Sequence, residues 1–206
     1  MKIKEKVLIL QGGKNEEHEV SLQTGKEVNK ALLRLGYDVE LLDVNPKNFK
    51  EEIRNIKADY CFNALHGPFG EDGQIQSILF DQNIPFTHSG ISASAKAFDK
   101  YKTKICLNET NLNLLDSLVI NKININNEFL EELLSKFKSF IIKPLSSGSS
   151  YGVLIIESKN DIKKILKNNE VRDVLYEKHQ KLIVEPYVKG RELTVSVIEK
   201  KDGSEP

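Results

Sequence analysis

Apolar positions in the first half of the chain alternate between short unbroken runs and helical stripes. Residues 6–10, Lys-Val-Leu-Ile-Leu, run straight into Gly12-Gly13. An apolar run that short predicts a strand covered on both faces, followed by a tight turn. Leu22, Val28, Leu32 and Leu35 then recur at helical spacing. Ser21 is the expected N-cap, and Gly36 the residue that stops the helix. Residues 37–44 predict a second strand, and Asn45-Pro46 the opening of a helix to about Ile56. A third strand over 58–65 leads through a glycine-rich loop, 66–73, into a helix over 74–82 and a short strand over 84–87. This β-α-β-α-β-α-β order predicts a parallel sheet with helices on both faces.

The second half has another rhythm. Residues 92–107 predict one long helix, and 118–120 a strand. A helix over 128–137 precedes two strands, 140–143 and 153–156, read as antiparallel and joined by a long loop. Helical patterns follow over 161–167 and about 170–178, then strands over 182–185 and 192–198. The last strand runs into Asp202-Gly203, a hairpin signal, with no return strand before Pro206. The expectation is therefore an α/β chain in two parts: a Rossmann-like parallel-sheet domain over 1–95, then an incomplete α+β domain over 96–206.

Composition narrows the function classes. Lys+Arg and Asp+Glu both number 30, so the formal net charge is zero. The basic excess of a nucleic-acid binder is missing. No apolar run approaches the ~20 residues that cross a bilayer, and no secretory leader follows the charged start. Two cysteines, Cys61 and Cys106, make no disulfide framework or Cys-based zinc site. Both read as buried structural thiols, and a cytoplasmic setting is expected.

Four segments carry candidate chemistry. The first is Gln11-Gly12-Gly13-Lys14-Asn15-Glu16-Glu17-His18-Glu19. Glycines after a first strand let backbone amides face a ligand, and the acids fit a cationic group such as an amine. A solvated charged turn explains the same residues. The second is Leu65-His66-Gly67-Pro68-Phe69-Gly70-Glu71-Asp72-Gly73, at a strand's carboxyl end where open α/β sheets bind ligands. His66 there can donate to a carboxylate; a turn cluster with one exposed His is the alternative. The third is Lys143-Pro144-Leu145-Ser146-Ser147-Gly148-Ser149-Ser150-Tyr151-Gly152. Its amides and hydroxyls can fold over phosphate oxygens, with Lys143 supplying charge; a flexible linker is the alternative. The fourth, Glu185-Pro186-Tyr187-Val188-Lys189-Gly190-Arg191-Glu192, is hinge-like. Its backbone can read an adenine edge and a carboxylate can take ribose hydroxyls, though Glu-Pro also reads as an ordinary turn.

Taken in order, these segments resemble a D-alanine–D-alanine ligase of the ATP-grasp superfamily. The resemblance rests on Gly12-Gly13 with Glu17-His18-Glu19-Val20-Ser21-Leu22, and on Ala64-Leu65-His66-Gly67 with Gly70-Glu71-Asp72-Gly73. Ser89-Gly90 through Asp99-Lys100 with Lys104, Lys143-Pro144 with Gly148 to Val153, and Glu185 with Gly190-Arg191-Glu192 complete it. It implies a pre-ATP-grasp domain followed by an ATP-grasp domain. It implies that ATP phosphorylates the carboxylate of one D-alanine and that the amine of a second attacks the acylphosphate. The dipeptide would serve peptidoglycan precursor synthesis.

By the same resemblance, Glu17 holds the first ammonium and His66 lies near its carboxylate. Ser149 joins the substrate hydrogen-bond chain, and Ser149 and Ser150 close over phosphates. Lys100 and Lys143 contact phosphates, Glu185, Pro186 and Val188 hold adenine, and Glu192 takes the ribose. Mg²⁺ is the implied cofactor beside ATP, and a homodimer the implied assembly of the full-length protein. No nucleic acid or membrane partner is expected. Asn111-Leu112-Asn113 replaces the family's usual Gly-Leu-Pro-type turn, and Pro186 stands where Lys or Glu is usual. The family's C-terminal part, with its Mg²⁺-binding acids, arginine and lid, finds no match, so a truncated chain is expected. The competing readings are another ATP-grasp carboxylate–amine ligase, and a shortened paralogue that binds nucleotide or a partner without turnover.

Overall fold

The computed structural model describes residues 5–168 and 181–198. The expected helix near 170–178 and the Asp202-Gly203 turn lie outside them.

The first part is a three-stranded parallel sheet in the order β2-β1-β3. β1 (Lys6–Gly12) is central, flanked by β2 (Asp38–Val44) and β3 (Tyr60–Asn63). Leu8 and Leu10 pack with Phe49, Ile53, Ile75 and Leu79 from α2 (Phe49–Glu52), the following 3-10 turn Ile53–Asn55 and α3 (Gln74–Asp81). Val7 and Ile9 alternate to the other face and are equally buried. α1 (His18–Leu35) packs against β1. The run over 7–10 is unbroken because both faces are covered.

Several local expectations are corrected. Ser21 is not the N-cap. It is buried three residues inside α1, accepting from Gly12 N and donating to Ala64 O, each at 2.8 Å. It ties the carboxyl ends of β1 and β3, and Glu17 holds the cap position without a side-chain cap bond. Gly36 does stop the helix, at φ 89. The helix expected from Pro46 begins only at Phe49, because Asn45 closes a turn through its Oδ1 and carbonyl. The expected strand over 84–87 is a single bridge, Cys61 to Phe86.

The long helix expected over 92–107 is two: α4 (Ile91–Phe98) and α5 (Lys100–Leu107). Asp99, with extended backbone, breaks the run and caps α5 by accepting from the amides of Tyr101 and Lys102 at 3.0 Å. An acid that caps so well makes a new start out of a continuous helical pattern.

The second part is a four-stranded antiparallel sheet, β4-β7-β5-β6, from β4 (Leu118–Asn121), β5 (Phe140–Pro144), β6 (Leu154–Ile156) and β7 (Lys181–Pro186). β5 and β6 are antiparallel across a long loop, as expected. α6 (Asn127–Phe137) and α7 (Lys159–Lys167) cover one face, burying Leu130, Leu133, Ile162 and Ile165 against Phe140, Ile142, Leu182 and Val184. Strand alternation sends Ile141, Lys143, Ile183 and Glu185 to the opposite face. The site is built there. The strand expected over 192–198 does not form: Leu193, Val195, Val197 and Ile198 are 72–83% exposed. Among the described residues no strand pairs with them, and alternation without a ladder partner does not hold a strand.

Candidate functional site

The loop after β1 is shaped by Asn15. Its Oδ1 accepts from Glu17 N at 2.8 Å, and its Nδ2 donates to His66 O at 2.8 Å and Pro68 O at 3.2 Å. Two loops at the carboxyl end of the parallel sheet are thereby locked together. The sequence reading did not single out Asn15. The signal was there: an Asn just ahead of a helix readily accepts from the amide two residues on.

Glu17 is half-buried at the start of α1. Its carboxylate accepts a hydrogen bond from Ser149 Oγ, 132 positions away. Gly67 and Gly148 line it closely. A Cβ on Gly148 would come within 3.0 Å of Glu17 Oε2, and one on Gly67 would collide with that oxygen at a backbone φ of +70. Gly67 needs glycine at that φ, while a side chain at Gly148 would require the Glu17 carboxylate to shift slightly. The three loops enclose a cavity of about 530 Å³, bounded also by Lys14, Val20 and Ser147. Glu17 and Ser149, from distant segments that the resemblance assigns to one substrate, stand together. Ser150 is exposed beside Ser149, both with positive φ, in a turn closed by Tyr151 N to Gly148 O at 3.0 Å.

The same loop leads to a lysine cluster. Lys100, first residue of α5, donates through Nζ to Ser147 O at 2.9 Å and Leu145 O at 3.4 Å. Glu185 on β7 is 6% exposed and takes two ammoniums, Lys104 Nζ at 2.7 Å and Lys143 Nζ at 2.6 Å. Lys143 reaches it because Glu185 is in register with Ile141, two residues back on the same face of β5. Burial pushes the Glu185 carboxyl up, but the hydrogen bonds from Lys104 and Lys143 outweigh it and hold the group below the usual carboxylate range. Lys100 is held below the usual lysine value, first by burial and then by the charge of Lys143. Three ammoniums thus surround one buried carboxylate, while the nearby Asp99 carboxylate is committed to capping α5. The excess positive charge is matched to a polyanion. Lys104 was not among the candidate site residues. Its position, one turn after Lys100 on α5, puts both on one helix face.

Other candidates sit apart. His66 lines a second cavity, about 460 Å³, with Thr24, Gln76 and His88, rather than the Glu17 cavity. Its Nε2 lies 3.0 Å from Thr24 Oγ1, and its Nδ1 3.5 Å from Glu71 Oε1. Thr24 Oγ1 already donates to Val20 O, so Nε2 is the donor to it. Pro186 ends β7 opposite Phe140. Val188 and Glu192 lie in the exposed irregular segment beyond. Cys61 is buried and its thiol is pushed up to about 12 by desolvation. Cys106 is corrected: it is exposed on α5, which has no buried residue of its own. Among the described residues no group of three or more His, Cys, Asp or Glu is placed to hold a metal ion, and no helix is long and apolar enough to cross a membrane.

Comparison with known proteins places the sequence and the fold among ligases. The D-alanine–D-alanine ligase of Rickettsia rickettsii (strain Sheila Smith) is 40% identical over 159 residues, covering 77% of this chain and 47% of that protein. The chain thus spans about half the length of the curated relatives it matches. The crystal structure of D-alanine–D-alanine ligase from Bacillus anthracis superposes with a TM-score of 0.75 at 29% identity, over 90% of this chain and 58% of that one. The same enzyme complexed with ATP gives a TM-score of 0.72 at 28% identity, over 90% and 60%. The sequence model of the family described as the D-ala D-ala ligase C-terminus matches residues 101–205. With that match spanning half of its residues, the chain belongs to the D-alanine–D-alanine ligase family.

Proposed function

We propose that this chain forms the N-terminal and central portion of an ATP-dependent ligase that joins two D-alanines for peptidoglycan precursor synthesis. The observation that carries the reading is the cationic cluster of Lys100, Lys104 and Lys143 around the single buried carboxylate of Glu185. It lies along the same loop, 145–149, that reaches Glu17. One end of that loop suits polyphosphate; the other offers a carboxylate to an ammonium.

In this reading the Glu17 carboxylate receives the ammonium of the first D-alanine in charge-assisted hydrogen bonds. Ser149 orients that carboxylate and lines the same cavity. Lys100 and Lys143 neutralise phosphate oxygens of ATP as an oxygen of the D-alanine carboxylate attacks the γ-phosphorus and ADP departs. The amine of the second D-alanine then attacks the acyl carbon and phosphate leaves. Ser150 belongs to the phosphate-covering turn. Pro186 and Val188 present hinge backbone to adenine, and Glu192 is assigned to the ribose. His66 acts by holding the loop beside the substrate carboxylate. Mg²⁺ belongs to the reading but finds no ligand set among the described residues, so no step here is routed through it. A homodimer and a cytoplasmic setting complete the proposal, which treats residues 1–95 and 96–206 as its two domains.

The test is phosphate release from ATP with and without D-alanine, with product analysis. Release that requires D-alanine and yields D-alanyl-D-alanine supports the reading. Release independent of D-alanine, or promoted equally by unrelated amino acids, contradicts it.

A further inference from the structure

The two lysines on Glu185 are not equivalent. Lys143 Nζ has Glu185 as its one ionic partner among the described residues, at 2.6 Å, and its strand leads directly into the Ser/Gly loop. Lys104 Nζ is fixed from two sides, by Glu185 Oε1 at 2.7 Å and by the Leu115 carbonyl at 2.6 Å. To follow a ligand, Lys104 would abandon a carboxylate and a carbonyl together. Lys143 gives up one bond, and the Glu185 oxygen it leaves still belongs to a carboxylate held by Lys104. A carboxylate as buried as Glu185 cannot lose both ammoniums without a large desolvation cost.

From this asymmetry we infer that Lys104 is a positioning residue of the nucleotide site: it retains and aims Glu185 while Lys143 exchanges from Glu185 to a phosphate. The inference rests on the nucleotide reading above and adds a residue that does not itself touch phosphate. Lys100 stands on the other side of Lys143, tied to the Ser147 and Leu145 carbonyls. A polyphosphate arriving between Lys100 and Lys143 relieves the repulsion between these two ammoniums. Lys104, drawn away by Leu115, stays behind Glu185.

The experiment is titration of the whole chain with adenosine, AMP, ADP and ATP by calorimetry, for wild type, Lys143→Met, Lys104→Met and Lys104→Arg, with a melting curve of each. Lys143→Met should weaken ATP about tenfold or more and leave adenosine unchanged. Lys104→Met should weaken adenosine and ATP by the same factor, about tenfold, because it misplaces Glu185 and with it the adjoining hinge backbone at Pro186 that is proposed to hold adenine. Lys104→Arg should recover most of that loss, since a guanidinium reaches the same two acceptors. Lys104→Met weakening ATP alone would make Lys104 a direct phosphate contact and overturn the inference. So would Lys104→Met lowering the melting temperature with both affinities unchanged, or Lys104→Arg failing to bind although folded. In each of those cases the Lys143 result leaves the nucleotide reading standing. Wild type binding adenosine as tightly as ATP overturns that reading itself, and the exchange with it.

Discussion

A carboxylate only 6% exposed persists in charged form at Glu185 because two ammoniums reach it, at 2.7 and 2.6 Å. Its folded value is depressed, so the stability it contributes is complete above its unfolded value of about 4.3 and is lost as pH falls through the lower folded value. Glu185→Gln should therefore destabilise the chain by about 1–3 kcal/mol at pH 7. The gap to wild type should narrow as pH falls below the unfolded value toward the lower folded one, in urea unfolding at pH 7 and pH 3; an equal gap at both would be contrary. Glu17 makes a second residue-scale case. If it receives an ammonium, Glu17→Gln should weaken D-alanine about 10–100-fold and leave ATP unchanged in paired titrations. The reverse pattern would remove Glu17 from the amine site. The cysteines make a third. Cys61, buried with its thiol pushed up to about 12, should resist a thiol reagent in the native state, while exposed Cys106 reacts. Mass spectrometry of the modified chain would show one label, and its position.

At the scale of elements, apolar spacing was a good guide wherever a partner surface exists. The run over 7–10 became β1, and the strands over 140–143 and 182–185 became β5 and β7. It was a poor guide at boundaries, where polar side chains decide. Asp99 splits a continuous helical pattern by capping α5, which sets Lys100 and Lys104 on the face above Glu185. Asp99→Ala should cost about 0.5–2 kcal/mol in urea unfolding. It should also weaken ATP, because α5 loses the start that positions Lys100; unchanged stability would deny the cap its role. The apolar alternation over 192–198 had the right period for a strand but no ladder among the described residues, so period alone misled.

At the scale of the whole molecule, two sheets with separate cores meet where Ser149 donates to Glu17 and along the loop beside Lys100. The chemistry proposed for each segment rests on residue type: acids for an amine, lysines and a Ser/Gly loop for phosphate. Which segments meet was not legible there, because a contact between positions 132 apart leaves no local pattern. Residue type alone paired neither Glu17 with Ser149 nor Lys143 with Glu185, though the resemblance set Glu17, Ser149 and His66 about one substrate; in the structure the first two touch and His66 lines a neighbouring cavity. Lys104 was quoted only as part of the resemblance and given no role, because its partner Glu185 lies on a distant strand. The central claim is that nucleotide phosphates lie between Lys100 and Lys143. The most direct measurement is lysine acylation by an acyl-phosphate derivative of ATP, mapped by mass spectrometry. The account predicts labels on Lys143 and Lys100, none on Lys104, and protection by ATP but not by adenosine. Labels scattered over exposed lysines, or undiminished by ATP, would contradict it.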